Sequence, residues 1–226
     1  MAETSNHPYY PQSLQIPGFV AQQWTDTQIL SVFFGAIAVI SPLALAQFAK
    51  LNPEAPTATR LVFLWFLLCG FIHTVLESYF VAFSQSIASR SGFLADLWKE
   101  YANSDSRYMT QDPTVVVVEG ITGFVWGPLC FLTASMILNN NPGRHVLQFA
   151  ISFGQLYGDV LYYLSMLLER TAHYNPNPYY FWFYFVVMNF PWIVIPTAIM
   201  WGSGSQMYAA LTEASNKRRV NQSKEE

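Results

Sequence analysis

Residues 61–83 read LVFLWFLLCGFIHTVLESYFVAF, and this stretch decides the fold class of the chain. It contains a single charged residue, Glu77, and one histidine, His73. A helix needs roughly 20 predominantly apolar residues to cross the hydrocarbon core of a bilayer. The stretch therefore predicts a membrane-spanning helix that carries two ionisable side chains inside the bilayer.

Four more stretches of the chain are about as long and almost as free of charge. Of the 226 residues, 52% are hydrophobic and 11% are charged, whereas a soluble domain carries about 25% charged residues. Helices of this length without a charged face are typical of membrane spans. The sequence therefore predicts an all-α membrane protein, a bundle of five transmembrane helices with spans at residues 29–49, 61–83, 114–138, 146–168 and 180–201.

The remaining segments are polar or irregular in character. Residues 1–28 contain three prolines and predict an irregular leader. Residues 93–102, in the longest loop, place apolar and aromatic side chains at helical spacing with charges between them, which predicts a short amphipathic helix at the membrane interface. Residues 206–226 are hydrophilic and predict a tail that is disordered from Thr212 onward.

The distribution of lysine and arginine predicts the orientation of the chain. Loops on the cytosolic side of a membrane carry an excess of these residues. The leader has none, whereas the tail has Lys217, Arg218, Arg219 and Lys224. With five spans the tail lies opposite the leader, so we expect a cytosolic tail and a lumenal leader.

Four ionisable side chains lie within the predicted spans: His73, Glu77, Glu119 and Asp159. An acidic side chain at the centre of a membrane helix costs about 2.5–3.5 kcal/mol even on the lower scales, and such residues usually mark function. His73 and Glu77 are four residues apart and therefore share one helix face. These side chains are the first candidates for a functional site.

Further polar and aromatic side chains share helix faces with these acids or with one another: Thr122 and Trp126 with Glu119, Gln155 and Tyr162 with Asp159, and Asn189 with Trp192. A five-helix bundle can bring these faces together. Structural interpretations stay open for several of them. The His73–Glu77 pair and Asn189 could join helices by hydrogen bonds, Trp192 could fill the core, and Asp159 could be a hydrogen-bonded structural acid.

Acid, base and aromatic groups in one apolar site favour carbocation chemistry. Apolar surroundings favour the protonated carboxyl, which can serve as a general acid, and a second carboxylate or an imidazole can remove a proton. An indole face favours a cation placed over it. This chemistry suits a lipid-like substrate and needs no cofactor. Motifs for phosphate binding, metal ligation and nucleic-acid binding do not occur in the sequence, and the two cysteines are predicted to pack as small apolar residues.

Longer motifs surround these candidates: HPYYPQ (7–12), CGFIHTVLE (69–77), LWKEYANSDSRY (97–108), EGIT (119–122), GQLYGDVLYYL (154–164) and YFWFYFVVMNFPW (180–192). Together they resemble the emopamil-binding protein family, which includes the sterol Δ8–Δ7 isomerase of the endoplasmic reticulum. The similarity extends over roughly residues 7–196.

The resemblance implies a five-helix fold with a membrane-embedded pocket in the endoplasmic reticulum membrane. It also implies a sterol or other lipid substrate, cationic amphiphilic amines as ligands, and a set of functional positions: His73, Glu77, Glu119, Thr122, Asn189 and Trp192. Trp126, Asp159 and Tyr162 are predicted to contact the substrate. A homodimer is compatible with the sequence.

In the reaction of the family, a proton is added at sterol C9, a cation forms at C8, and the C7 proton is lost. By resemblance, Glu77 with His73 is expected to donate the proton, and Glu119, supported by Thr122, to take part in proton removal or cation stabilisation. The reverse assignment of the two acids stays open. Asn189 and Trp192 are expected to stabilise the cation.

Two other functions are compatible with the same residues. The chain could isomerise or cyclise a terpenoid in a specialised pathway, because the shape of the pocket decides the fate of a carbocation. It could also be a sterol-binding or lipid-trafficking protein without catalysis. The presence of the complete set of functional positions favours an enzyme, and turnover of a Δ8-sterol discriminates between these functions.

Overall fold

A computed structural model describes residues 7–169 and 173–225. Regular secondary structure in these ranges is entirely helical. The long helices are α1 (Asp26–Leu51), α2 (Thr57–Phe83), α4 (Pro113–Leu138), α5 (Arg144–Leu168) and α6, which consists of a π-helical segment, Tyr180–Val187, and an α-helical segment, Phe190–Glu225. The short helix α3 (Phe93–Tyr101) and two 3₁₀ turns, Ile87–Ser89 and Ser106–Met109, lie between α2 and α4.

Four of the helices are long and apolar enough to cross a membrane, namely α1, α2, α4 and the Tyr180–Lys224 portion of α6. The predicted spans at residues 29–49, 61–83, 114–138 and 180–201 lie within them. The all-α membrane class is therefore confirmed. The fifth predicted span, residues 146–168, lies within α5, which is also helical over 25 residues but is more polar.

The polarity of α5 has a structural cause. Gln148, Ser152 and Gln155 lie on its buried face, and their exposed fractions are at most 5%. The opposite face carries Val146, Phe153 and several other exposed apolar side chains. The helix thus directs its polar residues into the protein and its apolar residues outward, which is the reverse of the pattern expected for a helix on the surface of a water-soluble domain.

Glycines allow α2 and α4 to approach closely. A Cβ atom on Gly127 would lie 2.4 Å from Oγ1 of Thr74, and one on Gly123 would lie 2.9 Å from the backbone nitrogen of Ser78. Side chains larger than hydrogen would push the helices apart, and small residues at helix interfaces are typical of membrane bundles. The contact places Glu77 of α2 next to the part of α4 that carries the second acid.

The leader and the α2–α4 loop pack together over one end of the bundle. Residues 7–25 are irregular, but Tyr9 and Ile16 are almost completely buried. The ammonium group of Lys99, on α3, donates hydrogen bonds to the carbonyl oxygens of Val20 and Arg90. The charges of the predicted amphipathic helix are therefore buried beneath the leader and do not face water, because the leader supplies their hydrogen-bond partners.

The structure differs from the sequence-based expectation at the tail. Residues 206–225 continue helix α6 and do not form a disordered segment. Almost all of residues 206–224 are exposed, and an ion pair between Lys217 and Glu213 at four-residue spacing joins successive turns. The tail is rich in residues that favour helices, and helix propagation from an already formed span avoids the cost of nucleation.

Candidate active site

A cavity lies between the helices and is closed at one end by α3 and the following 3₁₀ turn. Its wall combines apolar side chains with the polar and aromatic residues that the sequence singled out, except for Trp126. The candidates that line it are His73, Glu77, Glu119, Thr122, Asp159, Tyr162, Asn189 and Trp192. The structure therefore brings together residues from α2, α4, α5 and α6.

The His73–Glu77 pair lies on a π-helical segment of α2, Ile72–Glu77. His73 Nδ1 is 2.7 Å from Oε1 of Glu77, and the two residues have exposed fractions of 1% and 9%. The second oxygen of Glu77, Oε2, has no hydrogen-bond partner among the described residues. Single π turns are frequent at functional sites because they turn side chains out of the regular helical register.

Gln155 of α5 contacts the other nitrogen of the same imidazole. Its amide nitrogen, Nε2, lies 3.0 Å from Nε2 of His73, and its exposed fraction is 2%. The pair on α2 is therefore part of a chain of three buried side chains, Gln155, His73 and Glu77. This chain also fixes the position of α5 relative to α2.

Glu119 contacts a residue from outside the long helices. The hydroxyl of Tyr108, in the 3₁₀ turn Ser106–Met109, donates a hydrogen bond to Oε1 of Glu119. Tyr108 is buried, and its ring stacks on Trp98 of α3 with 5.0 Å between the ring centroids. Glu119 lies three residues before a second π-helical segment, Thr122–Trp126.

Asn189 follows the third π-helical segment, Tyr180–Val187. Its amide nitrogen donates to the carbonyl oxygen of Phe185 at 2.9 Å and to the hydroxyl of Tyr101 at 3.0 Å. The helix is interrupted between Val187 and Phe190, just before Pro191. A proline has no N–H to continue the hydrogen bonds of the preceding turn. The Asn189 side chain bonds to carbonyl oxygens of that turn.

The indole of Trp192 lies beside the imidazole of His73, with 6.5 Å between the ring centroids. A second indole, that of Trp65 on α2, packs against Trp192 at 5.5 Å. Trp192 thus presents an aromatic wall to the cavity next to the acid pair. An aromatic face in this position can stabilise a cation that forms between the acids and the indole.

Thr122, Asp159 and Tyr162 complete the set of cavity residues that the sequence predicted. The Thr122 hydroxyl donates to the backbone carbonyl oxygens of Val118 and Glu119, at 3.1 and 3.0 Å. It therefore contacts the main chain of Glu119. Oδ2 of Asp159 has no hydrogen-bond partner within the described part of the chain.

Trp126 lies outside the lining of the cavity. Its indole packs against Gly154 of α5, where an added Cβ would lie 2.4 Å from Cζ2 of Trp126. The helical spacing from Glu119 suggested a common face, but the π-helical segment between them changes the register by adding a residue to the turn. Substrate contact by Trp126 stays a prediction.

Sequence reasoning missed five aromatic residues that line the cavity, namely Phe33 and Tyr184 of the long helices and Trp98, Tyr101 and Tyr108 of the α2–α4 loop. The three loop residues lie in and next to α3, outside every apolar stretch, so a search for polar residues within spans passes over them. The available signal was the concentration of aromatic residues in the segment LWKEYANSDSRY, residues 97–108.

The chain is thus a helical membrane protein with a cavity lined by three carboxyl groups, an imidazole and two indoles. The family EXPERA (EXPanded EBP superfamily) matches residues 93–203. The chain belongs to this family. Individual proteins also match it over most of its length.

Three relatives illustrate the similarity. A 3-beta-hydroxysteroid-Δ(8),Δ(7)-isomerase from Cavia porcellus is 41% identical, over 93% of this chain and 94% of its own length. A protein of the same name from Rattus norvegicus is 38% identical, over 93% of each chain. A protoglabretal synthase from Citrus sinensis is 33% identical, over 78% of this chain and 79% of its own length.

Proposed function

We propose that this protein is a sterol Δ8–Δ7 isomerase that moves a ring double bond without a cofactor. The carboxyl groups of Glu77 and Glu119 carry the proposal, because both line the same cavity and one oxygen of each lies within hydrogen-bond distance of a neighbouring side chain, His73 or Tyr108. The names of the relatives that match nearly the whole chain support the same reaction and a sterol substrate.

The reaction adds a proton at C9 of the Δ8-sterol, which leaves a cation at C8, and then removes the C7 proton to form the Δ7 bond. Glu77, aided by His73, donates the first proton, and Glu119 accepts the second. The atoms balance because one proton enters and one leaves. Since the carboxyl groups come from α2 and α4, the close approach of these helices at Gly123 and Gly127 supports their joint action.

Trp192 and Asn189 stabilise the cation. The indole face of Trp192 provides electron density beside His73. The amide of Asn189 is oriented by Tyr101 and by the carbonyl oxygen of Phe185, so its dipole is fixed before the reaction begins. Fixed dipoles stabilise a developing charge without a reorganisation cost.

The reaction takes place inside the bilayer, in a bundle of five spans that includes α5. At 1.5 Å per residue, the 25 residues of α5 reach about 38 Å, which exceeds the roughly 30 Å of the hydrocarbon core. Its polar face is buried in the protein, so its lower overall hydropathy is compatible with a membrane span.

The membrane is that of the endoplasmic reticulum, with the tail cytosolic and the leader lumenal. Two of the cations on the leader side, Lys99 and Arg107, have exposed fractions of at most 1% and are hydrogen-bonded within the protein. The exposed cations of the tail then dominate the charge asymmetry that orients membrane proteins.

Cationic amphiphilic amines bind the cavity as mimics of the cation, and the protein forms a homodimer.

Turnover by the purified protein tests this function. We expect the wild type to convert a Δ8-sterol into the Δ7-sterol, read by mass spectrometry after chromatographic separation. Glu77→Gln and Glu119→Gln should each lower kcat by about 10²-fold or more, because each removes an acid–base group.

Glu213→Gln is the matched control, since its side chain is 68% exposed on the tail and should leave kcat unchanged. Sterol binding without turnover by the folded wild type would contradict the isomerase and identify a sterol-binding protein. Near-normal kcat in either acid variant would remove that residue from the mechanism.

A second candidate function has a specific observation in its favour, the similarity to a protoglabretal synthase over 78% of the chain. In this alternative the same acids isomerise or cyclise a terpenoid. Complementation of a yeast strain that lacks its sterol Δ8–Δ7 isomerase separates the two functions. Formation of Δ7-sterols supports the sterol isomerase, and their absence despite normal expression supports the terpenoid enzyme.

A further inference from the structure

We infer that Gln155 is a positioning residue that holds His73 as the Nδ1–H tautomer, so that the proton exchanged with the substrate is carried by Oε2 of Glu77. The inference rests on the proposed isomerase and deepens it, because it names the reacting atom. It also assigns different roles to the two residues that the sequence treats as one proton donor. Glu77 exchanges the proton with the substrate, and His73 orients Glu77.

The contacts of the imidazole leave little freedom for its proton. Nε2 of His73 faces the amide nitrogen of Gln155 at 3.0 Å, and Nδ1 faces Oε1 of Glu77 at 2.7 Å. An amide nitrogen is a donor and has no lone pair for hydrogen bonding. With the amide nitrogen of Gln155 facing the ring, Nε2 is the nitrogen without a proton, and the single proton of a neutral imidazole lies on Nδ1.

The position of that proton determines what each oxygen of Glu77 can do. Oε1 accepts the hydrogen bond from Nδ1–H in either protonation state of the carboxyl group. The exchangeable proton of the acid then belongs on Oε2. His73 is 1% exposed. A neutral imidazole avoids the free-energy cost of placing a positive charge at this buried position.

The missing partner of Oε2 agrees with this assignment. Oε2 of Glu77 is buried without a hydrogen-bond partner among the described residues, and Glu77 lines the cavity. Buried polar atoms are nearly always hydrogen-bonded, and an exception needs an explanation. A ring carbon of a sterol does not form a conventional hydrogen bond. An oxygen that protonates such a carbon must face an apolar part of the cavity, so no side chain of the protein is placed to bond to it.

Two other arrangements fit the same heavy-atom distances. In one, an imidazolium donates to both Glu77 and the amide oxygen of a rotated Gln155. In the other, Oε1 of Glu77 carries the proton and donates it to Nδ1, while Nε2–H donates to the amide oxygen. Both place a proton on Nε2 of His73, and a measurement of that nitrogen separates them from the inference.

Nitrogen NMR of the full-length protein, labelled with ¹⁵N-histidine in detergent micelles, tests the tautomer directly. The chain has four histidines, and His73 is identified by the signals lost in His73→Gln. We expect a protonated Nδ1 and a bare Nε2 in the wild type. In Gln155→Glu the new carboxylate accepts from Nε2, and the proton should move to that nitrogen. A protonated Nε2 in the wild type, or no change in Gln155→Glu, would overturn the inference.

Kinetics of Gln155→Met test whether the tautomer matters for turnover. Methionine keeps the length of the side chain and removes the amide. We expect kcat for the Δ8-sterol to fall roughly tenfold to hundredfold with KM unchanged, less than the loss of the acid itself. Gln148→Met is the matched control, because Gln148 is also buried on α5 but bonds to Ser203 away from the cavity. It should keep the wild-type kcat.

The outcomes distinguish the inference from the proposed function. A wild type that does not convert the sterol removes the isomerase, while the NMR result still reports the tautomer. A wild-type kcat in Gln155→Met contradicts the positioning role even if the tautomer is as inferred. An equal loss of kcat and thermal stability in both methionine variants would show that Gln155 acts only through packing.

Discussion

At the scale of residues, Glu119 depends on a hydroxyl that comes from the loop and not from the bundle. The Tyr108 hydroxyl occupies one oxygen of the Glu119 carboxyl group, as Nδ1 of His73 occupies one oxygen of Glu77. Each acid therefore has one oxygen that contacts a neighbouring side chain, and in the proposed reaction the other oxygen contacts the substrate. This symmetry explains how two flexible side chains can be oriented in a cavity with mostly apolar walls.

Tyr108→Phe tests the orientation of Glu119. The variant keeps the ring that stacks on Trp98 and removes only the hydroxyl. A hydrogen bond to a charged or partly charged group contributes about 1.5–3 kcal/mol, so we expect kcat to fall about tenfold or more in the sterol assay. Tyr208→Phe is the control, because that residue is 75% exposed and lies away from the cavity. Equal kcat values in the two variants would show that the Tyr108 hydroxyl has no catalytic role.

At the scale of elements, three of the helices that line the cavity contain a π-helical segment. These segments are Ile72–Glu77, Thr122–Trp126 and Tyr180–Val187. His73 and Glu77 lie on the first, Thr122 begins the second, and Asn189 follows the third. Each segment adds a residue to a turn and rotates the side chains that follow, so the register of the cavity wall differs from that of an uninterrupted helix.

Gly127→Ala tests whether the close approach of α2 and α4 is needed. The new methyl group would lie 2.4 Å from Oγ1 of Thr74 and 3.0 Å from its backbone nitrogen. We expect overpacking to cost about 1–3 kcal/mol of stability, together with a loss of isomerase activity. Thermal unfolding in detergent, followed by tryptophan fluorescence, measures the first effect.

Gly35→Ala on α1 is the matched control for this substitution, because no atom lies within 4 Å of the added Cβ. Alanine also has the higher helix propensity. The control should unfold at or slightly above the wild-type temperature. A Gly127→Ala protein as stable as the Gly35→Ala protein would contradict the importance of the close contact.

At the scale of the whole molecule, the leader and the α2–α4 loop form a unit that closes one end of the cavity. Lys99 is completely buried, and its ammonium group bonds to Val20 of the leader and Arg90 of the loop. Asp96, on the same helix, accepts hydrogen bonds from the backbone of Gln23 and Trp24. Burial also raises the pKa of Glu100. The hydrogen bond that Gln22 of the leader donates to this carboxyl group acts in the opposite direction and lowers the pKa, but its effect is smaller.

Lys99→Met tests this unit. Removal of the ammonium group leaves Asp96 without its ion-pair partner at 3.7 Å and the carbonyl oxygens of Val20 and Arg90 without their donor. Loss of one partner of a buried ion pair should cost about 3–5 kcal/mol. We expect faster amide hydrogen exchange in the leader and a lower unfolding temperature. Lys217→Met is the control, since Lys217 is 73% exposed in its pair with Glu213 and an exposed pair contributes about 0–1 kcal/mol. Unchanged exchange in the leader of Lys99→Met would contradict the role of Lys99.

Much of the fold could be predicted from the sequence because a bilayer imposes a simple rule. Hydrocarbon satisfies no backbone hydrogen bond, so a long apolar stretch must be helical. Each of the five predicted spans lies within a helix, and the polar residues inside the spans, such as Glu77 and Asn189, line the cavity as the spacing indicated. Exposure of an ionisable side chain to lipid is costly, so such a side chain within a span is expected to face the interior of the helix bundle.

The class of the fold, the approximate ends of the helices and most of the candidate site residues follow from the amino-acid sequence, because apolar length and buried charge are visible in it. How these residues pair follows from the packing of the helices. Spacing along one helix describes a face, but the contacts of Gln155 with His73 and of Tyr108 with Glu119 join segments 82 and 11 residues apart in the chain. Trp126 lies outside the cavity lining for a related reason, since a π turn changes the direction of a side chain without a signal in composition. Which atoms meet depends on helix packing, and packing is set by all of the side chains at an interface together.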